Sequence, residues 1–407
     1  MDEKDTAAEA SAPETEQQNR ENPAEASGEA RPRKRRSRKA NRILTAVLTV
    51  LLIVLALIVF AFRDALTEEG LRKSLKKNGA ASDREAFTYE TGAEQVFAAA
   101  GDGLAVASSS SVQLLDAKGQ TVFKQVVSFE TPAVFACGDR ALFCDLGGTG
   151  CIVAGTDGES KSLGVPAGDS DRRILSASMN ESGWIALVTA EPGYKALVSV
   201  YNADCEKQYE WWSGSAYVLR AAVSPDNRHM AVLCADKSGT LLRLFALNSE
   251  ELQAELSFPN ELFYDVSYLD SGALCVIGDP GVAYVSAEGK LKAQYRTEGS
   301  FLLDYALTSD FVTLFVSDYR SGGGGTLLTL DGKGGVLGTA ALERDVISLS
   351  ARGKQLLVMT GDSLVLYDQA LVRQYANDTL MTAKRAILRS DGDILLLSAY
   401  AAERFGF

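Results

Sequence analysis

The sequence predicts an all-β fold, a multi-bladed β-propeller, carried behind a single N-terminal transmembrane helix. Three observations lead there. Residues 43–62, ILTAVLTVLLIVLALIVFAF, run without one charge. From about Phe87 onward, short apolar runs rich in β-branched and aromatic residues alternate with Gly, Asp and Asn, and no helical period persists. Those runs recur as one strand–turn–strand unit along the rest of the chain.

The N-terminal elements come first. Residues 1–30 carry nine acidic residues against Lys4 and Arg20 and no aromatic residue. Such a segment buries too little apolar area to offset its ordering entropy, which predicts a disordered acidic cytoplasmic tail. Residues 31–42, RPRKRRSRKANR, are a basic juxtamembrane run with eight Arg or Lys. Basic flanks stay on the cytoplasmic side, so the chain after residue 62 is expected across the membrane. At about 1.5 Å per residue, a helix over 43–62 spans roughly 30 Å, the hydrocarbon thickness. That stretch exceeds the usual signal-peptide core of about 7–15 residues, which predicts an uncleaved signal anchor. Residues 63–85 read as a helical stalk with a stop at Asn78-Gly79. Residues 86–407 then form an extracytoplasmic propeller on a single-pass protein of the cell membrane.

The repeat fixes the propeller. Hairpins such as VFAAAGDGLAVAS (96–108), AAVSPDNRHMAVLCA (221–235) and AILRSDGDILLLS (386–398) share one plan. Their turn markers are Gly101, Gly138, Gly183, Asn227, Gly272, Asp310, Gly353 and Gly392, spaced 37 to 45 residues apart. A second hairpin follows most of them, as in SVQLLDAKGQTVFK and LVLYDQALVRQYA. Four strands per unit at this period predict propeller blades. One blade cannot cover both its faces alone, which explains strands apolar on both sides. Eight units give eight blades, with seven as the alternative count. The eighth ends early, at 403–407, and its missing outer strand is expected from AFTYET (86–91), closing the ring.

Hairpins such as SPDNRHMAV and RSDGDILLL resemble the first turns of WD-repeat-like and quinoprotein-like propellers. The anchored arrangement resembles an uncharacterised family of bacterial membrane-anchored propellers. The resemblance covers residues 87–407 and implies the fold. The Gly-His and Trp-Asp dipeptides of true WD repeats are absent, so their side-chain network is not expected.

Chemistry-bearing motifs are sparse. His229 is the only histidine, and no Cys-x-x-Cys occurs, so no metal or cofactor is predicted. TDGESK and NESGWIA lack most of the Asp-box pattern that sialidase-type propellers share. Residues 322–325 and 331–335 are Gly-rich but lack the Lys-Ser/Thr ending of a phosphate loop. Cys144, Cys234 and Cys275 sit in apolar runs as small hydrophobes. Cys144 and Cys151 flank LGGTG, where a cross-hairpin bridge is an open alternative, and Cys205 reads as a turn thiol. With the tail and basic run set aside, 31 basic and 44 acidic residues remain, which argues against nucleic acid.

One constellation points to binding. WWSGSAY (211–217) and SFPNELFY (257–264) are successive connections from one blade to the next. Trp211, Trp212, Tyr217, Phe258, Phe263 and Tyr264 are therefore expected to form a local aromatic interaction surface, against the alternative of inter-blade packing. The expected function is a non-enzymatic scaffold in the cell envelope for proteins or a surface polymer. A transmembrane sensor and a carboxylate-dependent hydrolase or lyase are the alternatives.

Overall fold

The eight hairpin units become eight four-stranded antiparallel sheets. The computed structural model of the chain describes residues 86–163, 172–378 and 382–405. The expected tail, basic run, span and stalk lie outside the described residues. Among the described residues, no helix is long and apolar enough to cross a membrane.

Blades 1 to 7 occupy residues 96–126, 132–162, 174–213, 217–259, 263–296, 301–342 and 346–377, and blade 8 occupies 385–405. Strands A to D of blades 1 to 7 run in chain order from the axis to the rim, and A strands of neighbouring blades approach one another. Blade 8 supplies only three strands from the C-terminal end. Its D strand is Ala86–Thr88, paired antiparallel as Ala86↔Glu403, Phe87↔Ala402 and Thr88↔Ala401. The Tyr89 hydroxyl tightens this seam by donating to the Ser398 carbonyl at 2.7 Å. The two ends of the propeller domain, held in one sheet, leave no open edge between the terminal blades.

The core is eight clusters, one between each pair of adjacent blades. Strand B of blade 4 shows why its sequence is apolar throughout. Met230, Val232 and Cys234 face the blade 3 side, whereas Ala231 and Leu233 face blade 5. Each fully buried Val or Leu of this kind contributes about 1.5–3 kcal/mol.

Turn chemistry sets the register. Seven of the eight A–B turn markers, all but Asp310, hold positive φ, the region that Gly and Asn enter most readily. At the C–D turns, Asp116, Asn202, Asp331 and Asp368 each accept backbone N–H groups from residues two and four positions on. Serines stitch neighbouring A strands: Ser178 donates to the Ala221 carbonyl at 2.7 Å, and Ser348 donates to Ala386 at 3.0 Å. The closing seam uses a buried cation. Arg389 pairs with Asp391 and donates to the Ala117 carbonyl of blade 1 at 3.1 Å.

Candidate functional site

The two faces of the ring differ. One carries the D-to-A connections and B–C turns (the DA face), and the other carries the A–B and C–D turns (the AB face). Thirteen large apolar side chains are exposed among the described residues. Nine lie at the DA face: Val126, Leu175, Tyr194, Trp212, Tyr217, Leu262, Phe301, Tyr319 and Ile347. The other four, Leu252, Leu291, Val336 and Val372, sit one per blade where strand D begins, at the rim of the AB face.

Five of the nine cluster around the axis. Leu175, Tyr217, Leu262, Phe301 and Ile347 stand where strand A begins in blades 3, 4, 5, 6 and 7. At the start of strand A in blades 8, 1 and 2, no large apolar side chain is exposed among the described residues. The exposed large apolar residues at the axial opening therefore come from five consecutive blades, 3 to 7.

A backbone device accompanies the apolar arc. Strand A of blades 3–7 carries a β-bulge near its start, leaving Leu175, Leu219, Tyr264, Leu303 and Ile347 without a partner in strand B. Blades 1, 2 and 8 pair their A and B strands without interruption. A bulge re-aims the side chains beside it and sharpens the local twist. The next residue after each unpaired one is polar, and the unpaired residue is itself the exposed member of the arc in blades 3 and 7, as Leu175 and Ile347. Those next residues are Ser176, Arg220, Asp265, Asp304 and Ser348.

Two of them, Arg220 and Asp265, build a network around the axis together with Tyr305. Arg220 Nε lies 3.2 Å from Asp265 Oδ1, off the line of the N–H, so the contact is ionic and not a hydrogen bond. Tyr305 of blade 6 donates its hydroxyl to Asp265 Oδ2 at 2.8 Å. The Arg220 guanidinium lies over the Phe135 ring of blade 2 at 5.0 Å, reaching past blade 3. Tyr264 faces Tyr305 with ring centroids 6.4 Å apart, and burial with nearby carboxylates pushes its phenol up to about 12. Burial also raises the Asp304 carboxyl, opposed by the Tyr305 backbone N–H and the charge of Arg385. Four blades are braced by these contacts beneath the apolar opening.

The six aromatics expected from sequence separate into three environments. Trp212 and Tyr217 are exposed on the DA face, with Lys195 Nζ 4.7 Å above the Tyr217 ring. Trp211 is half-buried and packs between blades, 4.9 Å from Phe245 with the Arg243 guanidinium 5.9 Å away. Phe258 and Phe263 are buried in the cluster between blades 4 and 5, centroids 4.5 Å apart, and so do not reach the surface. Tyr264 turns inward to the axial network. Leu175, Leu262, Phe301 and Ile347 were not anticipated. A signal exists for two of them: blades 3–7 each repeat two apolar residues and then a polar one (Ile174-Leu175-Ser176, Val218-Leu219-Arg220, Phe263-Tyr264-Asp265, Leu302-Leu303-Asp304, Val346-Ile347-Ser348), and the middle residue is the exposed one in blades 3 and 7. That triplet breaks strand alternation and marks the bulge.

His229 is half-exposed on an A–B turn, its Nδ1 3.5 Å from Asp226. Among the described residues, no group of three or more His, Cys, Asp or Glu is arranged to hold a metal ion.

These features define an eight-bladed β-propeller with an apolar arc at one axial opening. The chain belongs to a family of unknown function, DUF5711, whose profile matches residues 79–396. No curated protein matches the sequence. Solved structures with a similar fold include the C-terminal WD40 domain of Sif2, at TM-score 0.56 and 11% identity, covering 81% of this chain and 100% of that one. BamB from Moraxella catarrhalis is similar at TM-score 0.51 and 12% identity, covering 80% and 97%. The dihydro-heme d1 dehydrogenase NirN in complex with DHE follows at TM-score 0.51 and 13% identity, covering 72% and 67%. At such identities the likeness concerns the fold alone.

Proposed function

We propose that this chain is a non-enzymatic binding scaffold whose DA face holds a protein partner through the apolar arc of blades 3–7. The observation that supports this is the uneven exposure of large apolar side chains. They converge at one axial opening, while on the AB face they stand singly at the rim. Clustered exposed apolar groups with aromatic members suit the centre of a protein interface, and scattered ones need no explanation. The partner is a protein and not an anionic polymer, because the chain outside the tail and basic run is itself acidic. The uncharged segment 43–62 acts as a signal anchor in this reading, which makes the partner a component of the cell envelope.

The test uses the full-length protein in mild detergent and a Tyr217→Ser/Phe301→Ser variant. Both side chains are exposed, so stability should stay within about 0.5 kcal/mol. The partner that copurifies with the wild type should be lost from the variant. A partner retained in full by a folded double variant would reject this face as the site.

A further inference from the structure

The hairpin between strands B and C of blade 2 places two thiols against each other. Cys144 and Cys151 are direct cross-strand partners. Their Sγ atoms lie 3.1 Å apart, and both side chains are buried. The Asp145 N–H donates to the Gly150 carbonyl at 2.9 Å on the adjacent rung. That makes 145/150 the hydrogen-bonded rung and leaves 144/151 as the closer, non-hydrogen-bonded one, with a typical Cα separation of about 4.5 Å. A disulfide spans Cα separations of about 4.4–6.8 Å, so this rung accepts one without backbone rearrangement.

The surroundings hold that rung in place from two sides. Asp145 is buried and accepts from the Glu130 and Thr131 N–H groups at 2.8 and 2.9 Å. The turn at 146–150 is tied to the start of blade 3, where Gly147 donates to the Ile174 carbonyl and Ile174 to the Gly148 carbonyl, each at 2.7 Å. Ile174 precedes Leu175, the first member of the apolar arc. No other cross-strand partners in the register are both cysteine: Cys137 faces Arg140, Cys234 faces Val218 and Leu241, and Cys275 faces Ser267 and Tyr284.

We propose that Cys144 and Cys151 are a cross-link site, joined as a disulfide when the domain folds in an oxidising compartment. The two thiols give up two protons and two electrons to the disulfide of a thiol–disulfide oxidant, which leaves as its dithiol. Exchange proceeds through a thiolate, and burial followed by the Cys151 thiol pushes Cys144 well above the ordinary thiol range. The bond therefore forms while the hairpin is still open and, once buried, is shielded from reductant. The function of the cross-link is to fix the turn that anchors the start of blade 3.

The experiment takes the full-length protein in detergent and heats it through its melting transition and back, with oxidised glutathione or with a phosphine reductant. Free thiols are then alkylated under denaturing conditions. Residues 141–161 contain no internal Lys or Arg, so trypsin releases both cysteines on one peptide. After oxidation this peptide should be unalkylated and two hydrogens lighter than its dithiol form, while Cys234 and Cys275 remain alkylated. The oxidised protein should melt about 4 °C above the reduced one, the size expected of a short closed loop in a domain of this length. Cys151→Ala, which keeps the site small and apolar, should abolish that redox difference. Alkylation of both cysteines after the oxidising cycle, or pairing of either with another cysteine, would overturn the proposal.

Discussion

Blades 3–7 and blades 8, 1 and 2 follow the same four-strand plan and bury the same kind of inter-blade core, yet their innermost strands begin differently. In blades 3–7 an exposed apolar residue stands at the DA opening where strand A begins, and the strand carries a bulge near its start followed by a polar residue. In blades 8, 1 and 2 strand A pairs without interruption, and the conspicuous polar group is Arg389, committed to the closing seam. On the proposed reading, one arc of the ring presents a surface and the other holds the ring shut. Stability should therefore be concentrated in the second arc and recognition in the first.

The largest expected effect tests the closing arc. Removal of residues 401–407 deletes the strand that pairs with Ala86–Thr88, exposing one face each of two blades. Melting should fall by on the order of 10 °C or more, because neighbour packing supplies most of a repeat unit's stability. An unchanged melting curve would mean that the seam is not what closes the ring.

Next in size is a contrast within a single connection of the presenting arc. Phe263→Ala empties a fully buried site and should cost about 3–5 kcal/mol. Leu262→Ala, one residue earlier and 48% exposed, should stay within about 0.5 kcal/mol while weakening the partner. Equal destabilisation by both would erase the boundary between core and surface drawn here.

The axial brace should yield a smaller, coupled effect. Arg220→Met leaves Asp265 without its cation and should cost about 2 kcal/mol, below the 3–5 typical of a fully buried pair because both groups retain some solvent contact. Arg220→Met/Asp265→Asn should recover part of that loss in a double-mutant cycle. Strict additivity would show that the two charges do not interact.

The smallest effect is a pH dependence. Burial raises Asp304, so the folded state binds its proton more tightly than the unfolded chain does. Its contribution to stability is full below the unfolded value of 3.8 and is lost as pH rises through the higher folded value. Asp304→Asn should flatten the part of the melting-temperature profile that declines with pH above the ordinary carboxylate range. A wild-type profile that rises across that window, with no change on substitution, would contradict the assignment.

The fold was legible in the sequence because its signals are local and repeated. Turn markers at a near-constant period gave the blades, and the early end of the eighth unit at 403–407 pointed to AFTYET as the borrowed strand. The surface was less legible. Trp211 and Trp212 are neighbours, and strand alternation sends one between blades and the other to solvent. Phe263 stands beside a connecting loop but already belongs to the core, which loop position alone does not reveal. The apolar–apolar–polar triplets were present in the sequence, but a reading for hairpins passes over them, since a bulge adds one residue without altering turn or period.

The central claim, that blades 3–7 present the working surface on the DA face, is tested most directly by photo-crosslinking in intact cells. A photoreactive residue would replace Tyr217, Leu262, Phe301 or Ile347 on the DA face, and Leu252, Leu291, Val336 or Val372 on the AB face. All eight positions are exposed apolar sites, so each substitution should be tolerated. One common adduct from the four DA positions, absent from the four AB positions, is the predicted result. Adducts from the AB positions alone, or equally from both faces, would contradict it.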